Sequence, residues 1–302
     1  ALPICQNKDL EAFLPLSDGI RPGQGHLRRP VLKHIRTFQA HQGKISTACF
    51  SATGNYILTA GHDGQISLWN SNNGEEVQRF SFPHTQVTSA CFTPDGLHLF
   101  AATDDYRLHL LEINSGNEIR QFSGHRALPI WVGVTPYGKM ALSGGWDGTI
   151  GFWDLRKPKP MNLYRANLGP INSMWMSSDG MCLLLTGLKR EFRMFDLSGE
   201  MNHRCLGLPD RWPCSISSTD YKNYALCGNT DGSIVLWNLK TGQDVKILYG
   251  HRGSVNCLAL TRDSRYAISA GIDHTVRLWD INLGREIYRL EEESRRVYCL
   301  SL

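Results

Sequence analysis

SGGWDGTIGFWD, residues 143–154, sets two Trp–Asp pairs into a run that otherwise alternates apolar and polar side chains. The pattern returns as TAGHDGQISLWN (59–70), AATDDYRLHLLE (101–112), LTGLKREFRMFD (185–196), CGNTDGSIVLWN (227–238) and SAGIDHTVRLWD (269–280), and every copy starts 42 residues after the one before. The fifth position holds Asp63, Asp105, Asp147, Lys189, Asp231 and Asp273, and the aromatic position holds Trp69, Leu111, Trp153, Phe195, Trp237 and Trp279. Self-similarity at a fixed period decides an architecture before any single residue is interpreted.

Each copy reads as strand, turn, strand: YILTA (56–60), the Gly/Asp turn GHDG (61–64), then QISLW (65–69). Alternation with β-branched or aromatic residues is the mark of half-buried strands. An apolar run upstream, ISTACF (45–50), and one downstream, EEVQRF (75–80), complete four short strands, with SATGN, TPDG, TPYG or SSDG between the first two. Four antiparallel strands cannot bury both faces alone. The period therefore predicts an all-β propeller of four-stranded blades in which neighbours cover one another.

These residues resemble the WD-repeat β-propellers. The Trp–Asp ending stands in the third and sixth copies and is Trp–Asn in the first and fifth; Gly124–His125 and Gly250–His251 open repeats, with Ala40–His41 as a variant. The resemblance covers residues 34–302, after an irregular N-terminal extension over 1–33, and implies a seven-bladed ring, or six complete blades and a partial seventh. It also implies a hydrogen-bonded chain of His, Ser or Thr, Asp and Trp within a blade: His41, Thr59, Asp63 and Trp69; His125, Ser143, Asp147 and Trp153; His251, Ser269, Asp273 and Trp279. The same residue types make a hydrolase triad, but a triad occurs once, and a grouping repeated in equivalent places is structural. Blade two has Pro83 at the His position, blade four has Asn167, Leu185, Lys189 and Phe195 in place of all four, and blade five has Cys227 for the hydroxyl. These three blades are expected to rest on packing alone.

The ends fit less well. RRVYCLSL (295–302) matches the first strand of a further blade and VLKHIRTF (31–38) its outer strand, while PLSDGIRPGQGH (15–26) is rich in Gly and Pro and only EAFLPL (11–16) reads as a strand. The expectation is a fragmentary seventh blade in a trimmed chain.

A chain of 302 residues at 41% hydrophobic, with 29 Gly and 8 Trp, suits a single domain of radial repeats. No apolar run approaches the roughly 18–20 residues of a membrane span, and ALPICQNKDLEAF (1–13) lacks the regions of a signal peptide. Nine cysteines without Cys-x-x-Cys spacing, and no Asn-x-Ser/Thr sequon, point to an intracellular protein, cytoplasmic or nuclear. Scattered histidines argue against a metal, and the absence of a phosphate loop or nucleophile elbow argues against an enzyme, a cofactor or a small-molecule substrate. The net charge of +4, with basic groups at 27–30, 155–160, 188–193 and 294–297, is a weak indication of nucleic acid.

The expected function is therefore an interaction scaffold for other proteins or peptide segments, within a multi-subunit complex. Two further readings are an RNA- or chromatin-associated propeller and a substrate receptor of a cullin-type ubiquitin ligase. The latter follows from ALSGGWDGTIGFWDLR (141–156), which resembles the extended Trp–Asp-x-Arg box with Arg156 as its diagnostic residue. In the family, the residue before the turn Asp and the residue before strand one face the central channel, and blades three to five place Leu128, Trp146, Pro170, Leu188 and Trp212 there in sequence. Arg126, Lys189, Arg190 and Arg211 stand beside them. Aromatic and Arg residues together have the composition of an interface hot spot, so this arc is the expected partner site, for an acidic or amphipathic segment.

Overall fold

The computed structural model describes residues 2–6, 9–15, 32–157, 159–198, 202–206, 211–218, 224–261, 263–291 and 297–300. Among these there is no helix, and so none long and apolar enough to cross a membrane. Blade one consists of Ile45–Phe50, Tyr56–Gly61, Gln65–Asn70 and Glu76–Ser81, paired antiparallel in chain order. Blades two to six repeat this arrangement, each from four consecutive strands. We call the strands of a blade first to fourth; first strands of neighbouring blades touch, and fourth strands form the outer edges.

A further four-stranded antiparallel sheet is assembled from both ends of the chain, in the order Val297–Leu300, Leu2–Gln6, Asp9–Pro15, Leu32–Gln39. Val297–Leu300 contacts the first strands of blades six and one, so the first strands touch in a closed cycle. Within the expected irregular extension over 1–33, the described residues 2–6 and 9–15 are strands, the second overlapping EAFLPL (11–16), and they supply the two middle strands that the repeat pattern lacks. The physical reason is that open sheet edges at the end of a ring seek partners, and pairing supplies them even to a segment that carries no repeat signature.

The apolar side chains pack between blades. Leu58 and Leu68 of blade one meet Val87 and Leu99 of blade two, Phe122 of blade two meets Trp153 of blade three, and Leu278 of blade six meets Val297 of the composite sheet. Cys49, Cys91, Cys182, Cys205, Cys214, Cys227, Cys257 and Cys299 are free thiols, and burial pushes the Cys49 thiol up to about 12 and raises those of Cys91 and Cys227, as suits small core residues.

A periodic polar stitch also joins the blades. In each of blades one to six the pairing of first and second strands slips by one residue at the same place, making Ser46, Thr88, Ile130, Asn172, Cys214 and Asn256 bulged residues. A bulge turns one side chain out of the alternation. Here it points the side chain at the next blade: Ser46 Oγ donates to the Val87 carbonyl (2.7 Å), Thr88 Oγ1 to Pro129 (2.5 Å), Asn172 Nδ2 to Pro213 (3.4 Å), Cys214 Sγ to Val255 (3.1 Å) and Asn256 Nδ2 to Val297 (3.4 Å). Ile130 of blade three packs among apolar neighbours instead.

Candidate functional site

The chain of hydrogen bonds in blades one, three and six can be followed proton by proton. The indole Nε1–H donates to the hydroxyl oxygen, at 2.8 Å from Trp69 to Thr59, 2.8 Å from Trp153 to Ser143 and 2.7 Å from Trp279 to Ser269. Indole has no acceptor, so the hydroxyl proton is free to go to His Nε2, at 2.9 Å in His41 and 2.6 Å in His125 and His251. Nδ1–H then faces the carboxylate, at 2.9 Å for Asp63, 3.0 Å for Asp147 and 2.9 Å for Asp273. The same carboxylate also accepts a backbone N–H, from Gln42 and Arg252 on its other oxygen in blades one and six and from Arg126 on the same oxygen in blade three. A buried indole is thereby connected to the loop that carries the rim.

The charges follow from this geometry. Burial lowers the affinity of His41 and His251 for a second proton, the neighbouring Asp notwithstanding. Burial opposes ionisation of Asp147 and Asp273, but hydrogen bonds from His125 and Thr149 at the first, and from the Arg252 amide and His251 at the second, hold both well below the usual carboxylate range. A glycine two places before each Asp makes room for the ring: a Cβ on Gly61, Gly145 or Gly271 would stand 2.8 Å from the His Nδ1.

Blades two and five do not rest on packing alone, contrary to expectation. Blade two has Thr103 where blades one, three and six have that glycine, and its hydroxyl meets Asp105 (2.5 Å) and His109 Nε2 (2.9 Å), with His109 Nδ1 on Glu118 (3.0 Å). The histidine has moved to the third strand. Blade five replaces it with Arg211, which bonds Asp231 (2.9 Å), Ser233 (2.6 Å) and the Tyr249 hydroxyl (3.3 Å). The Trp237 indole, whose hydroxyl partner is Cys227 by position, has no hydrogen-bond partner among the described residues. Blade four has Phe192 and Phe195 fully buried and Thr186 Oγ1 unpartnered among the described residues, but packing is not all it has, since Arg193 of its third strand bonds Glu191 (2.8 Å) and the Ala166 carbonyl (2.8 Å). Nothing in the pattern marked His109, because no other blade has a histidine in that place.

The two rim positions of each blade are brought together by one backbone hydrogen bond: His62 to Lys44, Asp104 to Gln86, Trp146 to Leu128, Leu188 to Pro170, Thr230 to Trp212 and Ile272 to Ser254, all between 2.8 and 3.1 Å. On the arc, Trp146 is 54% exposed, Leu188 47% and Trp212 39%, while Leu128 and Pro170 are half-buried. Arg126, Lys189 and Arg190 are exposed, and the Arg190 guanidinium lies 4.3 Å above the Trp212 ring. Arg211 is spent inside blade five and acts on the rim only by holding the loop that carries Trp212. Exposed Ile272 extends the apolar arc into blade six.

Arg156 lies on the opposite face, its guanidinium forked on Asp154 at 2.8 and 2.9 Å and 72% exposed. The hydrogen bonds from Arg156 hold the Asp154 carboxyl below its ordinary range. Among the described residues no cluster of three or more His, Cys, Asp or Glu is arranged to hold a metal.

Comparison with known proteins agrees with this geometry. The family described as WD domain, G-beta repeat matches residues 32–70, 74–110, 116–154 and 242–280, about half of the chain. The chain is 27% identical to the Serine-threonine kinase receptor-associated protein of Dictyostelium discoideum over 76% of its own length and 77% of that protein's. It is 29% identical to Small ribosomal subunit protein RACK1 of Caenorhabditis elegans over 80% of its length and 71% of that protein's. Autophagy-related protein 16 of Arabidopsis thaliana is 26% identical over 40% of this chain, which spans only 24% of that relative. Each family match starts in or near the fourth strand of one sheet and ends with the third strand of the next, so the repeat in sequence interlocks the blades in space. By this interlocked repeat the chain belongs to the WD40-repeat family.

Proposed function

We propose that this chain is a non-enzymatic, intracellular interaction scaffold, one closed seven-bladed propeller whose rim over blades three to five binds an acidic or amphipathic segment of a partner protein. The observation that carries the reading is the arc itself. Trp146, Leu188 and Trp212 stand exposed at equivalent, backbone-paired places, and Arg126, Lys189 and Arg190 bring exposed cations beside them. A merely solvated rim has no use for two exposed indoles, and such aromatic–Arg clusters carry most of the energy of an interface. Relatives named for a kinase receptor and for the ribosomal small subunit support a role in assemblies. Residues 155–241, which lie outside the family match, hold Pro170, Leu188, Arg190 and Trp212.

The test is affinity purification with the full chain and its Trp146→Ala and Trp212→Ala variants. Each variant is expected to weaken capture of the partner by about 2 kcal/mol or more with an unchanged melting temperature. Equal recovery by both variants removes the arc from consideration. A second reading, contact with the propeller adaptor of a cullin-type ligase, is favoured by the exposed and rigidly oriented Arg156. An Arg156→Ala variant that still binds purified adaptor like the parent excludes it.

A further inference from the structure

The fourth strand of every blade is a free sheet edge, and charge on an edge keeps it from pairing with other chains. Blade one carries Glu76 and Arg79 there, blade two Glu118 and Arg120, blade four Arg204, blade five Asp244 and Lys246, and blade six Arg285, Glu286, Arg289 and Glu291. Three of these cations also tie the edge to the next unit. Arg120 donates to the Leu155 carbonyl, Arg204 to those of Lys240 and Thr241, and Lys246 to those of Ile281 and Asn282.

The edge of blade three, Pro160–Arg165, departs on both counts. It has no charged residue before Arg165, and Asn162 stands where the neighbours have Arg120, Arg204 and Lys246. Met161 is 59% exposed and Leu163 36%. A Cβ on Gly124 would lie 3.4 Å from both Leu163 Cδ1 and Pro160 Cγ, so these side chains continue the apolar surface that covers Trp153. Cations bracket the strand, with Arg156, Lys157 and Lys159 exposed before it and Arg165 exposed at its end. Asp154 pairs with Arg156 at 2.8 Å and with Lys157 at 3.9 Å, and its one negative charge leaves the bracket positive.

We propose that the free edge of Pro160–Arg165 receives an extended segment of a partner protein, apolar at alternate positions in the middle and acidic at both ends, as an added antiparallel or parallel strand. Backbone hydrogen bonds would hold the segment, Met161 and Leu163 would seat its apolar side chains, and Lys157, Lys159 and Arg165 would select its charge. A second copy of this chain is a poor occupant. Antiparallel self-pairing would set the Lys159 end of one strand beside Arg165 of the other, like charge on like charge.

The experiment is fluorescence anisotropy with the full chain and three labelled peptides: Asp-Glu-Val-Thr-Val-Glu-Asp, its counterpart with Lys at the acidic positions, and its counterpart with Gly for both Val. The first is expected to bind about tenfold or more tighter than either of the others. A Met161→Lys, Leu163→Lys double variant is expected to lose that binding by about tenfold while staying folded at the assay temperature, as its unfolding curve checks, although its added charge should favour an acidic peptide. Trp146→Ala is expected to bind the peptide unchanged, which separates this edge from the rim. Equal binding of the Gly peptide would reduce the effect to attraction of polyanions and overturn the proposal. So would unchanged binding by the double variant, or sedimentation of the parent as a dimer that the double variant dissociates.

Discussion

Trp153 has one proton to give and nothing to accept with, and from that single asymmetry the polarity of its whole hydrogen-bond chain follows, through Ser143 and His125 to Asp147. Removing the terminal acceptor strands buried donors, so Asp147→Ala and Asp273→Ala should each cost about 1–3 kcal/mol in urea unfolding. Lys189→Ala, in the blade without such a chain, should cost little, and equal losses at all three would show that the carboxylates do not hold the blades. Gly145→Ala should destabilise by about 1–3 kcal/mol although it only adds a methyl group, because that methyl would stand 2.8 Å from His125 Nδ1 and 2.9 Å from Asp147 Oδ1. The charges make stability depend on pH. His41 and His251 are held below the ordinary 6.5 by burial, so the unfolded chain takes up protons first as pH falls, and their contribution is complete above 6.5 and lost on acidification through and below it. Asp63, Asp147 and Asp273 lie below the ordinary 3.8, so theirs is complete above 3.8 and is lost as pH falls further. The melting temperature should therefore decline from about pH 7 to about pH 5 and again in stronger acid. A double His41→Asn, His251→Asn variant should flatten the upper part of that curve, and an unchanged slope would count against the assignment.

At the scale of the strand, the bulge in the first strand does two things at once. It breaks the ladder with the second strand at one residue, and it sends that residue's side chain across to the next blade. Thr88→Val keeps the shape and removes the donor to the Pro129 carbonyl, which should cost about 0.5–1.5 kcal/mol in denaturant unfolding; no loss would mean that water serves that carbonyl as well. Ser, Thr, Asn, Cys and Asn at one column of a 42-residue period were visible in the sequence. Their role was not, because alternation assigns every second residue to one face, and only the register shift shows that this one leaves both. Turn chemistry varies in the same way: Tyr106, Arg190 and His274 take the positive φ that Gly64, Gly148 and Gly232 take elsewhere. In blade four this sets Arg190 over Trp212, so a backbone departure from the repeat helps build the arc.

For the molecule as a whole, closure depends on residues that carry no repeat. Removing residues 1–15 would leave Val297–Leu300 and Leu32–Gln39 without the strands between them, and open edges associate. The shortened chain should aggregate on size-exclusion chromatography with light scattering where the full chain is expected to run as a monomer; a soluble, monomeric product would show that these strands do not close the ring. Period and turn residues were determined by the sequence alone, and the resemblance those residues carry implied the hydrogen-bond chains in blades one, three and six. They are local properties, repeated often enough that copies check one another, and a buried Trp, His and Asp at matching columns have few ways to satisfy their polar atoms. What only the tertiary structure decided lies where a residue acts on something distant along the chain. His109 and Arg211 took over the absent histidine's place from other strands and loops, so Arg211 left the partner surface to serve its own blade. Leu2–Gln6 became a strand, and Asp9–Pro15, legible in part as EAFLPL, found its place, because the open edge of Val297–Leu300, nearly the whole chain away, had hydrogen bonds to share. Such pairings are set by the geometry of a ring that forces its two ends together, and that geometry is not written in any one stretch of sequence.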